Sequence, residues 1–481
     1  MNAVADVQEP STGGAHNAAI VAAADLAFEQ PTNDALARAR AFSHPLLTNE
    51  CMASGENVLA HADAVAAILR TIGGSQDMQA AAYLVYACAH LQRPKEVIAR
   101  AFGDSYADLA VEVNKLIHLQ RQARLKTSSG SPLAGNDLTA ALAVNHTENV
   151  RKMLLAFSKD LRVVMLRLAS RLQTLRYYAA SKTKPDISVA NEALSVFSPL
   201  ANRLGIWQIK WEIEDLAFRF LDPATYKDVA RLLDEKRVER VDYMSAVVMH
   251  VQHALRNQGV ESQVSGRPKH IYSIVKKMRG KSLDFAHVFD VRALRIVVSD
   301  VDACYRALAY VHQEYTPMLE EFDDYIAKPK SNGYQSLHTV VRDHDGLSME
   351  IQIRSKAMHD HAESGMAAHW AYKEAGAKGY AGVSANTAYD GKIAVLRQLL
   401  AWERDMSSSS GALFDDRIYV LTPNAAVVEL PDGATPIDFA YAVHTTVGHR
   451  CRGAHVDGVM VPLTTPLKNG QTVSVVTAKE G

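Results

Sequence analysis

The span EFDDYIAKPKSNGYQSLH, residues 321–338, places three acids, two lysines, a turn signal, a tyrosine and a histidine close together. Lysines neutralise phosphate groups, an Asn-Gly pair makes a turn that aims the next residue, and a tyrosine ring stacks on a nucleobase. This mixture suits a nucleoside triphosphate with a metal ion better than a hydrophobic ligand. The alternative is a charged surface loop around a buried tyrosine.

A second segment, GRPKHIYSIVKKM at residues 266–278, predicts a basic helix. Pro268 suits the first turn, and Lys269, Ser273 and Lys276 then fall on one face of the helix. A helix N-terminus with Arg267 beside it forms a cradle for phosphate. The alternative is a basic helix face that points into solvent.

Two predicted strands add polar groups. In SMEIQIRS, residues 348–355, the strand period of two sends three polar side chains to one face: Glu350, Gln352 and Arg354. They form the floor of a site if another layer covers them, and a solvent face otherwise. In FDVRALRIVV, residues 289–298, Asp290 stands at the polar end of a buried strand. Asp290 and Glu350 on adjacent strands would together hold Mg²⁺.

Bulk composition limits the partners. The chain has 481 residues, of which 48% are hydrophobic and 22% charged, with a formal net charge of -1. A nucleotide or nucleic acid must therefore be met by a local basic patch. No apolar run approaches the ~18 residues of a bilayer span, which predicts no membrane partner. Four widely spaced cysteines indicate buried, structural thiols in a reducing compartment, and we expect a cytoplasmic protein: Cys51, Cys88, Cys304 and Cys451.

Hydrophobic periodicity divides the chain into modules. We predict a disordered N-terminal tail at 1–35, an all-helical domain at 36–200, a helical connector at 201–240, a mixed α/β domain at 241–375, a linker with a helix at 376–414, and a small β-grasp module at 415–481. The predicted fold class is multidomain, α and α+β.

A resemblance to a known family rests on five segments that occur in this order: GRPKHIYSIVKKM, FDVRALRIVV, EFDDYIAKPKSNGYQSLHTVV, MEIQIRS and HAESGMAAHWAYKE. They resemble the nucleotidyltransferase-like synthetase domain of the RelA/SpoT family. The segment NRLGIWQIKWEIEDLAFRFL resembles the connector of that family, the last module resembles its TGS domain, and the helical domain resembles its HD-type hydrolase. The resemblance covers nearly the whole chain.

The resemblance implies that the β,γ-pyrophosphate of ATP is transferred to the 3′-hydroxyl of GDP or GTP, with Mg²⁺ as cofactor and AMP as co-product. It implies that Arg267 and Arg295 flank the adenine, and that the ATP phosphates are held by Lys269, Ser273, Lys276, Lys328 and Lys330. Asp290 would ligate the metal, and Glu350 would be the second ligand or the general base. The acceptor site would comprise Asp324, Asn332, Tyr334, Gln335, His338, Gln352 and His369. The acidic form of residues 321–324 resembles the synthetase-specialised branch of the family.

The same resemblance implies an inactive hydrolase. Active relatives bind Mn²⁺ through a histidine, a His-Asp pair, a Glu-Asp pair, and a later Asp and Asn. This sequence keeps His61, but the later positions are occupied by Val85 and Tyr86, Ala89 and His90, and Ser170 and Thr174. We therefore expect His61 and His90 to be structural residues of a pseudo-hydrolase domain.

The last module implies a nucleic-acid partner. In ribosome-associated relatives the TGS domain contacts the 3′ end of uncharged tRNA, and the matching residues here are His444, His449 and Arg450. The alternative is that both histidines pack inside the β-grasp core. Long family members continue into further regulatory modules, so we expect a shortened form with weakened ribosome control.

Two other functions remain open on sequence grounds. The chain could be a catalytically silent regulator that binds ribosome or tRNA, or a different nucleotidyl transferase on the same fold. The leaving group distinguishes the second of these from a synthetase, because pyrophosphoryl transfer from ATP releases AMP and nucleotidyl transfer releases pyrophosphate.

Overall fold

The computed structural model describes residues 34–128, 160–235, 237–267, 270–281, 292–330, 333–362, 417–424 and 426–478. These residues separate into two compact units. The first holds residues up to 125 together with 162–177, and the second holds the others. The predicted tail before residue 34 and the predicted linker and helix at 376–414 lie outside the described residues.

The first unit is built from helices. It contains α1 (Ala35–Leu47), α2 (Val58–Thr71), α3 (Gln76–Ala87), a 3₁₀ turn (Cys88–His90), α4 (Pro94–Phe102), α5 (Asp104–Ser128) and most of α6 (Leu161–Ser181). Polar side chains fix where the helices begin: Asn57 accepts a hydrogen bond from the Ala60 amide at 3.0 Å, and Ser75 accepts one from Met78 at 3.3 Å. The predicted all-helical domain is confirmed.

A run of helices opens the second unit. It comprises α7 (Ile187–Glu192), a π-helical turn (Ala193–Phe197), α8 (Ser198–Arg203), α9 (Trp207–Leu221), α10 (Pro223–Glu235) and α11 (Arg237–Asn257). Helix α9 buries an apolar stripe, Ile209, Ile213 and Ala217, and packs against α7 and α8. The predicted boundary at residue 240 falls inside α11, which reaches on to Asn257.

A five-stranded sheet follows. Its strands are β1 (Ser262–Gly266), β2 (Ala293–Val298), β3 (Thr316–Asp324), β4 (Leu337–Arg342) and β5 (Ser348–Ser355), and α12 (Ile271–Lys281) and α13 (Val301–Glu314) lie between them in the chain. The spatial order is β1-β2-β5-β4-β3. Strands β2 and β5 are parallel, and the other neighbours are antiparallel. The last strand in sequence is therefore the central one.

One face of this sheet is apolar. Leu294, Ile296, Ile351, Ile353 and Leu337 belong to one buried cluster with residues of α11 and α13. Because strand side chains alternate, their sequence neighbours on β2, β5 and β4 lie on the other face. The predicted division of β5 into an apolar and a polar face is confirmed, and helices cover the apolar face.

The third module has the β-grasp pattern of short strands and helix. Strands β6 (Arg417–Leu421) and β7 (Val427–Pro431) pair, and β8 (Cys451–Val456) lies between β9 (Val459–Val461) and β10 (Val473–Thr477). Two short helices, α14 (Pro436–Val443) and α15 (Thr445–His449), replace the single helix that the sequence predicted. They separate at His444, whose φ of -167° ends α14 and whose ring nitrogen caps α15.

One further expectation needs correction. Helix α12 begins at Ile271, and Pro268, which was predicted for its first turn, lies outside the described residues. The N-terminus of α12 is capped by a residue of another helix, because the Asp215 carboxylate of α9 accepts a hydrogen bond from the Tyr272 amide at 2.8 Å. Cys88 and Cys304 are buried as expected, and burial raises the pKa of each thiol to about 12, but Cys51 is exposed. No helix in the described ranges combines the length and apolar character that a bilayer crossing requires.

Candidate functional site

Five polar residues form a row across the sheet, one from each strand. Cross-strand pairing links Ser265 to Arg295, Arg295 to Gln352, Gln352 to His338, and His338 to Asp323. Paired residues share a face of a sheet, so the row lies opposite the apolar core. Of the predicted site residues, this polar row unites Arg295, Gln352 and His338 on neighbouring strands.

Glu350 stands two residues before Gln352 on the same face of β5. Its Oε1 accepts a hydrogen bond from Gln352 Nε2 at 2.9 Å and lies 3.7 Å from His338 Nδ1. Its side chain is only 12% exposed. A carboxylate held this way is positioned to accept a proton or to ligate a cation beside the row.

His338 and Tyr334 form a hydrogen-bonded pair. The Tyr334 hydroxyl lies 2.8 Å from His338 Nε2. Burial lowers the pKa of His338 to about 4, with Lys330 and Arg267 acting in the same direction and the Glu350 carboxylate opposing them. Burial likewise raises the pKa of the Tyr334 hydroxyl. Both groups are therefore uncharged at neutral pH, with Tyr334 as the donor and the neutral imidazole as the acceptor.

Lys330 lies against two aromatic rings. Its Nζ is 4.0 Å from the centroid of the Tyr325 ring and 5.6 Å from that of Tyr334. Loss of hydration at these rings lowers the pKa of Lys330. The Gly333 amide donates to the Lys330 carbonyl at 2.8 Å, and Gly333 has a φ of +76°, so the predicted turn is present.

The predicted ATP residues do not all lie at one edge of the sheet: Arg267 and Arg295 lie at the β1 end of the polar row, and Lys328 follows β3 at the other end. The Arg267 amide donates to the carbonyl of Ala293, so Arg267, one residue beyond β1, lies close to β2, which carries Arg295. Ser273 and Lys276 lie on α12, where Ser273 is partly buried and Lys276 is exposed. Lys328 is exposed in the turn that follows β3.

Some predicted residues are not brought together. Lys269, Asp290, Asn332 and His369 lie outside the described residues. Asp324 pairs with Leu337 and so lies on the apolar side of the sheet, where its carboxylate accepts from the Tyr305 hydroxyl and from the amides of Ile326 and Ala327. The neighbouring acid, Asp323, is the one that joins the polar row.

A pocket of about 380 Å³ opens beside Tyr334. Its lining combines the turn at Gly333, Tyr334 and Gln335 with the segment after β5 and with the start of α9. Residues that contribute include Gly205, Trp207, Ser355, Met358 and His361. The volume and the mixed aromatic and polar lining suit a nucleobase.

The sequence analysis missed the contribution of α9. The Trp207 ring contacts the Tyr334 ring edge-on at 5.5 Å, and the Trp211 ring lies 4.7 Å below the Arg267 guanidinium. Asp215 accepts from the first turn of α12. The signal was present, because residues 207, 211 and 215 recur every four positions and so share one helix face.

The chemistry of Glu350 fits a hard divalent cation, because carboxylate oxygens are the ligands that such ions prefer. Asp290, the other residue predicted as a ligand, lies outside the described residues.

The predicted pseudo-hydrolase site contains a buried hydrogen-bond network. His61 Nδ1 lies 2.7 Å from a Glu56 oxygen, and His61 Nε2 lies 3.2 Å from the Ser170 hydroxyl. The Tyr86 hydroxyl donates to Ser170 at 2.9 Å, and Gln173 donates to Glu56 at 2.5 Å. His61 is 0% exposed. No group of three His, Cys, Asp or Glu side chains in the described ranges could hold a metal ion.

In the β-grasp module the predicted tRNA residues lie on and beside α15. His444 and His449 are exposed, so they do not pack in the core. His444 Nδ1 accepts from the Thr446 amide at 3.1 Å, and His449 contacts the Tyr441 ring. Arg450 has a structural contact, because its guanidinium donates to the Ala478 carbonyl at 2.9 and 2.5 Å.

Three family profiles match the chain in this order. An HD domain profile matches residues 39–207, a profile described as a region found in RelA / SpoT proteins matches residues 266–377, and a TGS domain profile matches residues 418–477. The chain belongs to the RelA/SpoT family.

Curated relatives agree with this assignment. The chain is 49% identical over 340 residues to the GTP pyrophosphokinase of Photobacterium angustum, which covers 69% of this chain and 45% of the relative. It is 40% identical over 452 residues to a Synechocystis protein named probable guanosine-3′,5′-bis(diphosphate) 3′-pyrophosphohydrolase, with coverages of 92% and 57%. The chain thus spans about half the length of the curated relatives it matches.

Solved structures with similarity include the small alarmone synthetase 1 of Bacillus subtilis, at 25% identity and a TM-score of 0.22, covering 38% of this chain and 95% of that one. A GTP pyrophosphokinase family protein from Streptococcus pneumoniae has 25% identity and a TM-score of 0.23, with coverages of 39% and 93%. The family assignment rests on the profiles and the curated relatives.

We expect His338 to stay neutral down to about pH 5. Its pKa is lowered in the folded state, so the unfolded chain binds a proton first and the folded state loses stability as the pH falls from about 6.5 towards 4. NMR of chain labelled with ¹⁵N-histidine measures this directly, with His338→Gln identifying the signal. A His338 midpoint near 6.5 would contradict the buried, uncharged state.

Proposed function

We propose that the chain is a stringent-response (p)ppGpp synthetase, which transfers the β,γ-pyrophosphate of ATP to the 3′-hydroxyl of GDP or GTP and releases AMP. The observation that carries the proposal is the nearly buried, hydrogen-bonded Glu350 on the polar face of β5, beside the row that contains Arg295 and His338. Arginines lie on β2 and at the end of β1, and the tyrosine-lined pocket lies on the side of β4. The GTP pyrophosphokinase names of the curated relatives support the same reaction.

The donor nucleotide would lie over β1, β2 and α12. Arg267 and Arg295 would provide planar guanidinium groups to stack on adenine, the exposed Lys276 would reach phosphate oxygens, and Lys328 would approach them from the β3 side. The chain as a whole carries a net charge of -1. Attraction of an ATP polyanion therefore depends on this local concentration of positive groups.

The acceptor nucleotide would enter the pocket beside Tyr334. Stacking of guanine on the Tyr334 ring would place the ribose towards β5, where Gln352 and Glu350 face the same side. Lys330 has a lowered pKa and rests on aromatic rings, so a phosphate group would draw it away to a stronger partner. Gln335 lines the same pocket.

Glu350 would act at the reacting hydroxyl, either as the general base or as a ligand of Mg²⁺. Mg²⁺, when bound, would neutralise the charge that develops on the phosphate oxygens. Gln352 orients the Glu350 carboxylate through the 2.9 Å hydrogen bond, and the neutral His338 limits its hydration from the other side. Asp290 remains the predicted principal metal ligand. Such an enzyme would act in the cytoplasm, where both nucleotides are available.

Replacing Glu350 by Gln should lower kcat by about 10²-fold or more, because the isosteric amide keeps the hydrogen bond of Gln352 but can neither accept the proton nor ligate the cation. Tyr334→Ala should raise the KM for GDP about 5- to 100-fold, the loss expected for one stacked base, and leave the KM for ATP nearly unchanged.

Chromatography of products from ATP labelled in its terminal phosphate checks both variants, with Glu320→Gln on the exposed part of β3 as the matched control. Label in a guanosine product together with AMP supports the synthetase. Free pyrophosphate in place of AMP would indicate a nucleotidyl transferase, and nucleotide binding without any transfer would indicate a silent regulator.

The first unit would then be an inactive hydrolase. Ser170 and Tyr86 stand where the active domain requires acids, and they are hydrogen-bonded to each other and to His61. The imidazole nitrogen that would face a metal is occupied by the Ser170 hydroxyl. One relative carries a hydrolase name, so the activity needs its own measurement.

We expect the purified chain to release no pyrophosphate from (p)ppGpp with Mn²⁺, and EDTA to leave its thermal unfolding unchanged. His61→Ala should lower the stability of this unit by about 3 kcal/mol, because it removes a hydrogen-bond partner of the buried Glu56 carboxylate. An assay of released pyrophosphate tests the activity, and calorimetry measures the effects of EDTA and of His61→Ala on unfolding. Mn²⁺-dependent release of pyrophosphate would overturn the assignment.

The β-grasp module would contact uncharged tRNA on the ribosome through the exposed His444 and His449. Arg450 is less suited to this contact, because it is bound to the Ala478 carbonyl. The patch also exposes the aromatic ring of Tyr441, 44% accessible, which can stack on an unpaired base.

A double variant, His444→Asn with His449→Gln, should reduce stimulation by ribosomes carrying uncharged tRNA several-fold and leave synthesis without ribosomes unchanged. Asn preserves the cap of α15, so the loss would reflect contact and not helix unfolding. The matched control is His455→Ala on β8 of the same module. Equal losses in the control and the double variant would count against the proposed contact.

A further inference from the structure

Helix α9 contacts three separate parts of the candidate site with one of its faces. Trp207, Trp211 and Asp215 recur every four residues and point the same way. Trp207 contacts Tyr334, and Asp215 contacts the start of α12. Trp211 contacts residues on both sides of the loop between β1 and α12. The helix had been predicted only as a connector.

Trp211 holds both described ends of the loop between β1 and α12. The Arg267 guanidinium lies 4.7 Å from the centroid of the Trp211 ring, and the His270 ring stacks on it at 5.3 Å with an interplanar angle of 23°. Stacking on a ring fixes the plane of a guanidinium that would otherwise sample several orientations. The plane that Arg267 presents to an adenine is therefore set by Trp211.

Asp215 also contacts the residues at the start of α12. One oxygen accepts from the Tyr272 amide at 2.8 Å, and the other lies 3.1 Å from His270 Nδ1. Phe218, one turn further along α9, is buried with Ile274 and Val275 of α12. The described residues on both sides of this loop, and the first turns of α12, are thus in contact with α9.

Trp207 acts on the other nucleotide. Its ring meets Tyr334 edge-on at 5.5 Å with an interplanar angle of 67°, and it lines the pocket beside that tyrosine. An edge-to-face contact restrains the tilt of the partner ring and leaves one of its faces available for stacking. The opposite side of α9 is buried against α7 and α8, so both tryptophans project from a fixed support.

We propose that α9 is the positioning element for both substrates, with Trp211 orienting Arg267 for the donor nucleotide and Trp207 orienting Tyr334 for the acceptor. This inference rests on the proposed function. It goes beyond that function by assigning a separate role to each of two tryptophans on one helix, each of which orients another side chain.

The test is equilibrium binding by the whole chain, measured calorimetrically for α,β-methylene-ATP and for GDP. Trp211→Leu should weaken the ATP analogue on the order of tenfold and change GDP binding less than twofold, and Trp207→Leu should show the reverse pattern. Trp211→Phe and Trp207→Phe keep a ring and should recover most of each loss. Equal weakening of both nucleotides in either Leu variant, or no weakening in either, would overturn the inference.

Fluorescence of the Phe variants provides a second measurement that does not depend on the Leu variants folding. Removal of Trp211 should abolish the emission change caused by the ATP analogue and keep the change caused by GDP, and removal of Trp207 should do the opposite. Equal responses in both variants would overturn the inference. A wild-type chain that transfers pyrophosphate but shows no such division overturns the inference alone, and one that binds neither nucleotide overturns the proposed function with it.

Discussion

The site depends on the placement of β5 at the centre of the sheet. A central strand buries one face in the core, so its apolar residues, Ile351 and Ile353 among them, determine which way every intervening polar side chain must point. Glu350, Gln352 and Arg354 are thereby held on one face at a spacing of two residues. Their burial is tolerated because they bond to neighbours, as Gln352 does to Glu350 and Arg354 to His359. A slip of one residue in the pairing would move all three into the apolar core.

Around this strand, aromatic contacts hold the cations of the site in place. A nearly neutral chain would not attract the proposed polyanionic nucleotides through its overall field, so the attraction would depend on local cations. Arg267 and Lys330 both rest on aromatic rings, Trp211 for the first and Tyr325 for the second. A carboxylate would neutralise each cation, whereas an aromatic ring holds the cation in place and leaves its charge unneutralised. The cations therefore keep their charge for an incoming phosphate or base.

Local patterns in the sequence predicted much of this arrangement. Alternation in residues 348–355 gave the two faces of β5, and Gly333 occupies the turn predicted for it, since both depend on near neighbours alone. The pairing of β5 with β2 and β4 depends on residues far apart in the chain, and no local pattern specifies it. For the same reason the contacts of Trp207 and Trp211 were missed, although their spacing was visible. Asp323 and Asp324 are adjacent, so only one can join the polar row, and the irregular pairing between Met318 and Asp323 decides which.

The network around His61 changes what the folding of the first unit depends on. Where a metal ion links helices, its binding free energy is part of the folding free energy, and the folded fraction then varies with the free metal concentration. Here Glu56, His61, Ser170 and Tyr86 link α2, α3 and α6 with groups that the chain itself encodes. If the proposed loss of the metal site holds, the yield of this folded unit would not depend on the supply of manganese in the cell.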